Sequence, residues 1–220
     1  MSKRKKIASV AFTGVAAVAV VGLRTGTALA ASGTWNVTDS GAGYTGPVSG
    51  INSTTATLDA NGTKLTCAAS TAVASGSVPA STVTGTSPTL GTISTATFGT
   101  TTKACTYAGL VNFTAKLNKA VSLKGSTYSN GVTTGKLAGS ISATLTGVNG
   151  TTCSATITGT SIPATYTNAT HTLAVNPHSV STLKITHVSA GHCDGLLTSG
   201  EPAAFTAAYK FSPPLSITGP

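Results

Sequence analysis

Four histidines, His171, His178, His187 and His192, and four carboxylates, Asp39, Asp59, Asp194 and Glu201, make up the acid-base inventory of this chain. They crowd only around His187 and the run His192-Cys193-Asp194-Gly195. A Ser-His-Asp relay can be drawn there from His187 or His192, Asp194 and one of many serines, but no Gly-x-Ser-x-Gly elbow surrounds any serine. Asp194-Gly195 reads more simply as a turn beside a cysteine. A metal site is the other chemistry on offer. His187 and His192 flank the short turn Ser189-Ala190-Gly191, so their imidazoles would converge with Asp194 as a third ligand. Strand parity puts His187 on one face with Leu183 and Ile185, half-buried or at a pocket rim. Glycoside cleavage needs two facing carboxylates, and the four acids lie far apart in sequence. No residue is therefore assigned a catalytic, cofactor-binding or metal-binding role. His187, His192 and Asp194 stand as weak functional candidates, and the chain calls for no cofactor.

Such side chains need a scaffold, and an export signal precedes it. Lys3, Arg4, Lys5 and Lys6 lead into an apolar run from Ile7 to Leu23, and Ala28 and Ala30 suit a signal peptidase. Residues 1–30 are expected to be a helical secretory signal cleaved before Ala31, the alternative being a retained anchor. No cysteine follows the signal, which excludes a lipoprotein anchor, and no hydrophobic tail stands before Pro220. Of the formal charge of +9, five units belong to Lys3, Arg4, Lys5, Lys6 and Arg24, which leaves +4 for the mature chain. Its lysines are scattered and it has no arginine, so a nucleic-acid partner is excluded. No membrane span is expected after cleavage. Six Asn-x-Thr/Ser sequons, at Asn36, Asn52, Asn61, Asn112, Asn149 and Asn168, are a by-product of a Thr-rich chain behind a bacterial-type signal.

The remainder, rich in Thr, Ser, Ala, Gly and Val, shows no sustained helical period. It reads as all-β: a disulfide-stapled antiparallel β-sandwich or flattened barrel whose only helix is the signal. An even cysteine count in an exported chain predicts two disulfides among Cys67, Cys105, Cys153 and Cys193. Three pairings exist, and Cys67 with Cys105 and Cys153 with Cys193 is favoured because each closes a similar loop inside one copy of a repeated phrase. A zinc site would need closer spacing. The phrase is Ala56-Thr57-Leu58, Asn61-Gly62-Thr63, Thr66-Cys67, heard again as Ala143-Thr144-Leu145, Asn149-Gly150-Thr151, Thr152-Cys153. Each is a hairpin turned at Asn-Gly with a cysteine on its return arm. Two pseudo-repeats, about 31–128 and 129–220, are expected to share one core in a single domain 31–220. Alternation marks Val111, Phe113, Ala115 and Leu117; Leu137, Ile141 and Leu145; Cys153, Ala155 and Ile157; and Phe205, Ala207, Tyr209 and Phe211 as inward faces. Trp35 and Val37 share a face of the first strand. By contrast, 41–50 with Pro47 reads as a loop, 75–88 as an edge strand or long loop, 125–135 as a junction between copies, and Pro163 and Pro177 as loop markers.

With Cys67, Cys105, Cys153 followed by Gly159-Thr160, Tyr166-Thr167-Asn168, and Cys193 with Gly195-Leu196, the chain resembles small secreted proteins of actinobacteria. The resemblance implies export and an extracellular β-rich fold, and it carries over no catalytic residue. The expected function is a non-enzymatic extracellular or cell-surface protein, a binding or structural module whose partner is a surface, polymer or protein. The alternatives are a small-molecule carrier with an apolar cavity between its sheets, a secreted hydrolase using His187, His192 and Asp194, and an outer-membrane pore.

Overall fold

The computed structural model describes residues 32–60, 62–175, 182–189, 193 and 195–220. The predicted signal, Asn61, Pro177, His178, the 190–191 part of the predicted turn, His192 and Asp194 lie outside the described residues. In chain order the strands are β1 (Gly33–Asp39), β2 (Ala42–Gly43), β3 (Gly46–Asn52), β4 (Ala56–Ala60), β5 (Thr63–Cys67), β6 (Ala72–Val78), β7 (Thr82–Gly85), β8 (Thr89–Phe98) and β9 (Cys105–Tyr107). They continue with β10 (Val111–Leu117), β11 (Val121–Ser129), β12 (Val132–Val148), β13 (Ser154–Thr167), β14 (Thr172–Val175), β15 (Lys184–Val188), β16 (Ala203–Ser212) and β17 (Leu215–Thr218).

The pairings resolve into one closed object. β3 and β4 lie end to end along β16, and likewise β5 and β6, β8 and β9, β10 and β11, and β14 and β15 lie end to end along their neighbours. With β12, β13 and β16 unbroken, these make eight antiparallel staves among the described residues, each paired with the next in chain order. The last stave returns to the first, with Tyr209 opposite Asn52 and Phe205 opposite Leu58. The fold is an up-and-down barrel, the barrel alternative of the two expected architectures. Closure removes the sheet edges that a Thr- and Val-rich chain would otherwise expose.

Alternation drives this arrangement: Leu137, Ile141 and Leu145 are buried inside, while Lys136, Thr144 and Thr146 face out or lie at the surface. Tight turns join the staves. Asn130 and Gly131 have φ of +50° and +79°, and Asn149 and Gly150 have +54° and +90°, the left-handed pairs that match strand twist. Both cysteine-bearing hairpins turn at the same end of the barrel, where the bridges Cys67–Cys105 and Cys153–Cys193 also lie. Asn52, fully buried, fastens the break in two adjacent staves: its Nδ2 donates to the Thr54 and Ala68 carbonyls and its Oδ1 accepts from the Ala72 N–H, each at 2.8 Å.

The opposite end is capped by a second, small sheet in which β1 pairs with β17, β2 and β7. Trp35, fully buried, drops from β1 into the barrel mouth. A Cβ at Gly125 would come within 3.1 Å of its ring, and one at Gly219 within 2.6 Å, so both glycines make room for the indole.

Several expectations fail for one reason: polar and small residues were mistaken for loop. Residues 41–50 hold β2 and most of β3, and Pro47 sits in the β3–β6 ladder opposite Ser77. Residues 75–88 contain the inner part of β6, flanked by β3 and β8, and the capping strand β7. Residues 125–135 are the tip of the β11–β12 hairpin, turning at Asn130-Gly131. Pro163 lies within β13 opposite Lys136, and on the other side of β13, β15 pairs as far as Thr158 and β14 from Ala164.

Candidate functional site: the barrel lumen

An eight-stranded barrel is at the size where side chains just fill the interior or leave room for one small molecule. Here they leave room. A cavity of about 120 Å³ occupies the lumen. Its origin lies in the inward positions of the first five staves, each of which presents an alanine: Ala56, Ala74, Ala96, Ala115 and Ala143. The last three staves face them with larger groups, Ile157 and Ile162, Leu173, Val175 and Leu183, then Phe205 and Tyr209. Phe205 reaches across to Phe98 in an edge-to-face contact with ring centroids 5.2 Å apart.

No charged side chain lines this space among the described residues, and Tyr209 supplies the one hydroxyl-bearing side chain. Burial raises the Tyr209 phenol above its ordinary value, so it stays neutral throughout the physiological range. Cys67 and Cys105 also line the wall, already joined as a disulfide, so no thiol is available there. Apolar cavities of this kind generally stay dry, and the volume is of the order of a benzene molecule. Part of its lining, including Leu58, Phe98, Leu117 and Phe205, is only half-buried, so the lumen is not wholly sealed.

The residues singled out from the sequence lie elsewhere. His187 is opposite Thr156 and exposed, while Leu183 and Ile185 are buried. The ladder slips between Thr156 and Ile157, so Thr186 is an extra residue on β15, and the bulge turns His187 outward, against the expected parity. His192 and Asp194, its proposed partners, fall outside the described residues. His171 sits at the capped end with φ +52° and donates from Nδ1 to the Leu215 carbonyl at 2.9 Å. The described acids hold turns: Asp39 Oδ1 accepts from the Ser40 hydroxyl, Asp59 Oδ1 from the Gly62 N–H, and Glu201 Oε2 from the Thr198 N–H. Asp39 and Asp59 stand at opposite ends of the barrel, so they form no facing pair. Among the described residues no three His, Cys, Asp or Glu side chains gather as a metal site.

Among the lumen residues, the sequence marks Ala115, Leu117, Leu137, Ile141, Leu145, Ile157, Phe205 and Tyr209 as inward, but not Ala56, Ala74 or Ala96. The available signal was the recurrence of alanine at inward positions of successive strands, where Leu or Ile would have filled the barrel. No protein-family model, known protein or solved structure matches the chain.

Proposed function

We propose that the chain is an exported, non-enzymatic carrier that holds one small apolar molecule in its barrel lumen. The observation that carries this reading is the apolar cavity of about 120 Å³ inside a closed barrel whose outer face is mostly Thr, Ser and Lys. Guest binding would draw on apolar surface removed from water, about 25 cal/mol per Å², with shape setting selectivity. Export is supported by the signal-like first 30 residues and by two disulfides, which persist in oxidising compartments. The hydrolase reading is weakened by the outward His187. A pore in lipid needs an apolar outer band, and the outward positions of β10, β12 and β13 are instead Asn112, Thr114, Lys116, Thr144, Thr146, Thr156 and Thr158.

Xenon NMR of the purified chain tests the reading. A saturable shift of the ¹²⁹Xe resonance, competed by benzene and abolished in the double variant Ala115→Leu/Ala143→Leu, is the expected result. An unsaturable shift equal to that of the double variant, with both proteins folded, would refute it.

A further inference from the structure

Between Asp59 and Asp194 the sequence has no acidic residue, yet it has seven lysines. Four of them fall on the outer face of two adjoining staves. Lys116, Lys119 and Lys124 follow one another along the β10–β11 stave, and Lys136 of β12 lies directly opposite Lys124. Their neighbours across the ladders are neutral: Thr97 and Thr144 beside Lys116, and Pro163 on the far side of Lys136. Like charges directly opposite on adjacent strands repel, with Cβ atoms about 5 Å apart. Among the described residues no acidic side chain pairs with them, and the Lys124 ammonium is held in place by a 2.6 Å hydrogen bond to the Thr89 hydroxyl.

The floor beside them is polar and ordered. Asn118, in the break between β10 and β11, donates to the Ser142 and Thr144 hydroxyls at 3.2 and 2.9 Å. Lys103 extends the track toward the bridged end, because its loop is tied across to the second hairpin by Asn149 Nδ2 donating to the Thr101 carbonyl at 3.0 Å. From Lys116 to Lys124 an extended stave covers about 26 Å.

We propose that this lysine track binds a linear polyol phosphate chain, a polyanion of phosphodiesters without bases. Charge complementarity selects a polyanion. Lysine ammonium groups act as point charges, a mode suited to phosphate and needing no planar fork. The exposed residues of the track include no aromatic platform on which bases would stack. Lys124 and Lys136, directly opposite one another, are the densest positive charge on the track. This surface lies on the outside of the wall and does not depend on the lumen being occupied.

The test is titration of the full chain with synthetic poly(glycerol phosphate), with neutral dextran, an oligothymidine and anionic phospholipid vesicles as parallel arms. Binding to the polyol phosphate alone or most tightly is expected. With four phosphates neutralised, affinity should fall about fiftyfold between about 50 and 200 mM salt. The variant Lys116→Gln/Lys119→Gln/Lys124→Gln/Lys136→Gln should lose at least about tenfold in affinity at low salt, whereas Lys64→Gln/Lys184→Gln/Lys210→Gln, on other staves, should lose little. Equal losses in the two variants, no preference over dextran, or tighter binding to the oligothymidine or the vesicles would overturn the proposal.

Discussion

The two ends of the barrel are closed by different means. At the capped end the chain spends its single tryptophan: Trp35 fills the mouth, Val37, Leu215 and Ile217 of the small sheet are buried beside the barrel, and the Tyr166 hydroxyl donates to the Leu215 carbonyl at 2.7 Å. At the other end Cys67–Cys105 and Cys153–Cys193 tie neighbouring segments. Packing density explains the division. A mouth filled by an indole gains from contact and burial, whereas a wall built of alanine beside a void gains little and must be held by another means. Covalent closure lets the bridged half keep its lumen open without losing the fold.

The sharpest way to break this contrast is at the indole. Trp35→Ala should cost about 3–5 kcal/mol, because little around Gly125 and Gly219 can collapse into the gap; denaturant midpoints measure it. A loss below about 1 kcal/mol would mean that the cap is ornamental to stability. Next comes the bridged end. Replacing Cys67 and Cys105 by serine reopens a loop spanned by a sequence separation of 38 and should cost about 4 kcal/mol in the chain-entropy account. It should also loosen the lumen wall, read as weaker xenon binding, an effect not expected of Trp35→Ala.

Alkali separates the interior from the surface. Burial raises the phenols of Tyr166 and Tyr209 above the ordinary value of 10.0. The unfolded chain releases these protons from about pH 10 while the folded chain retains them. Their contribution to stability is therefore complete below that pH and declines above it, by at most about 1.4 kcal/mol per pH unit for each phenol. Equilibrium unfolding between pH 9 and 12 reads this slope, and Tyr209→Phe should flatten it. Smallest is the effect of Thr133→Val. Among the described residues neither the buried Thr133 hydroxyl nor the Trp35 indole N–H has a hydrogen-bond partner. Replacing that hydroxyl with an isosteric methyl should stabilise the capped end by about 1 kcal/mol, visible as a higher melting temperature.

Much of the frame was legible in the sequence wherever the inward residues were large. Phe113, Leu137, Ile157 and Tyr209 alternate with polar neighbours, and each is buried. The disulfide pairing followed from loop size within the repeated phrase, and it is the pairing found. Legibility failed where inward positions hold Gly or Ala, since period two then leaves no contrast. Gly125 faces the indole and Gly135 pairs with it across the hairpin, so the β11–β12 hairpin reads as a junction. The lumen was anticipated only as an alternative, an apolar cavity between the sheets; five alanines on five staves place it only once the staves are known to face one another. His187 failed differently, because one inserted residue in β15 reverses every later side chain and leaves no mark in composition. Likewise Asn52, one of the six sequons, is a buried clamp and not a surface site.

Closure of the last stave onto the first gives the molecule a timetable. Seven of the eight stave pairings join neighbours in the chain, so they can form before the barrel closes. The eighth, β16 with β3 and β4, waits for residues 203–212, and the pairing of β1 with β17 waits longer still. Until then an open sheet carries two unpaired edges and no lumen exists. The closed lumen is thus the last feature to form, and a truncation near residue 200 would leave an open sheet with two unpaired edges.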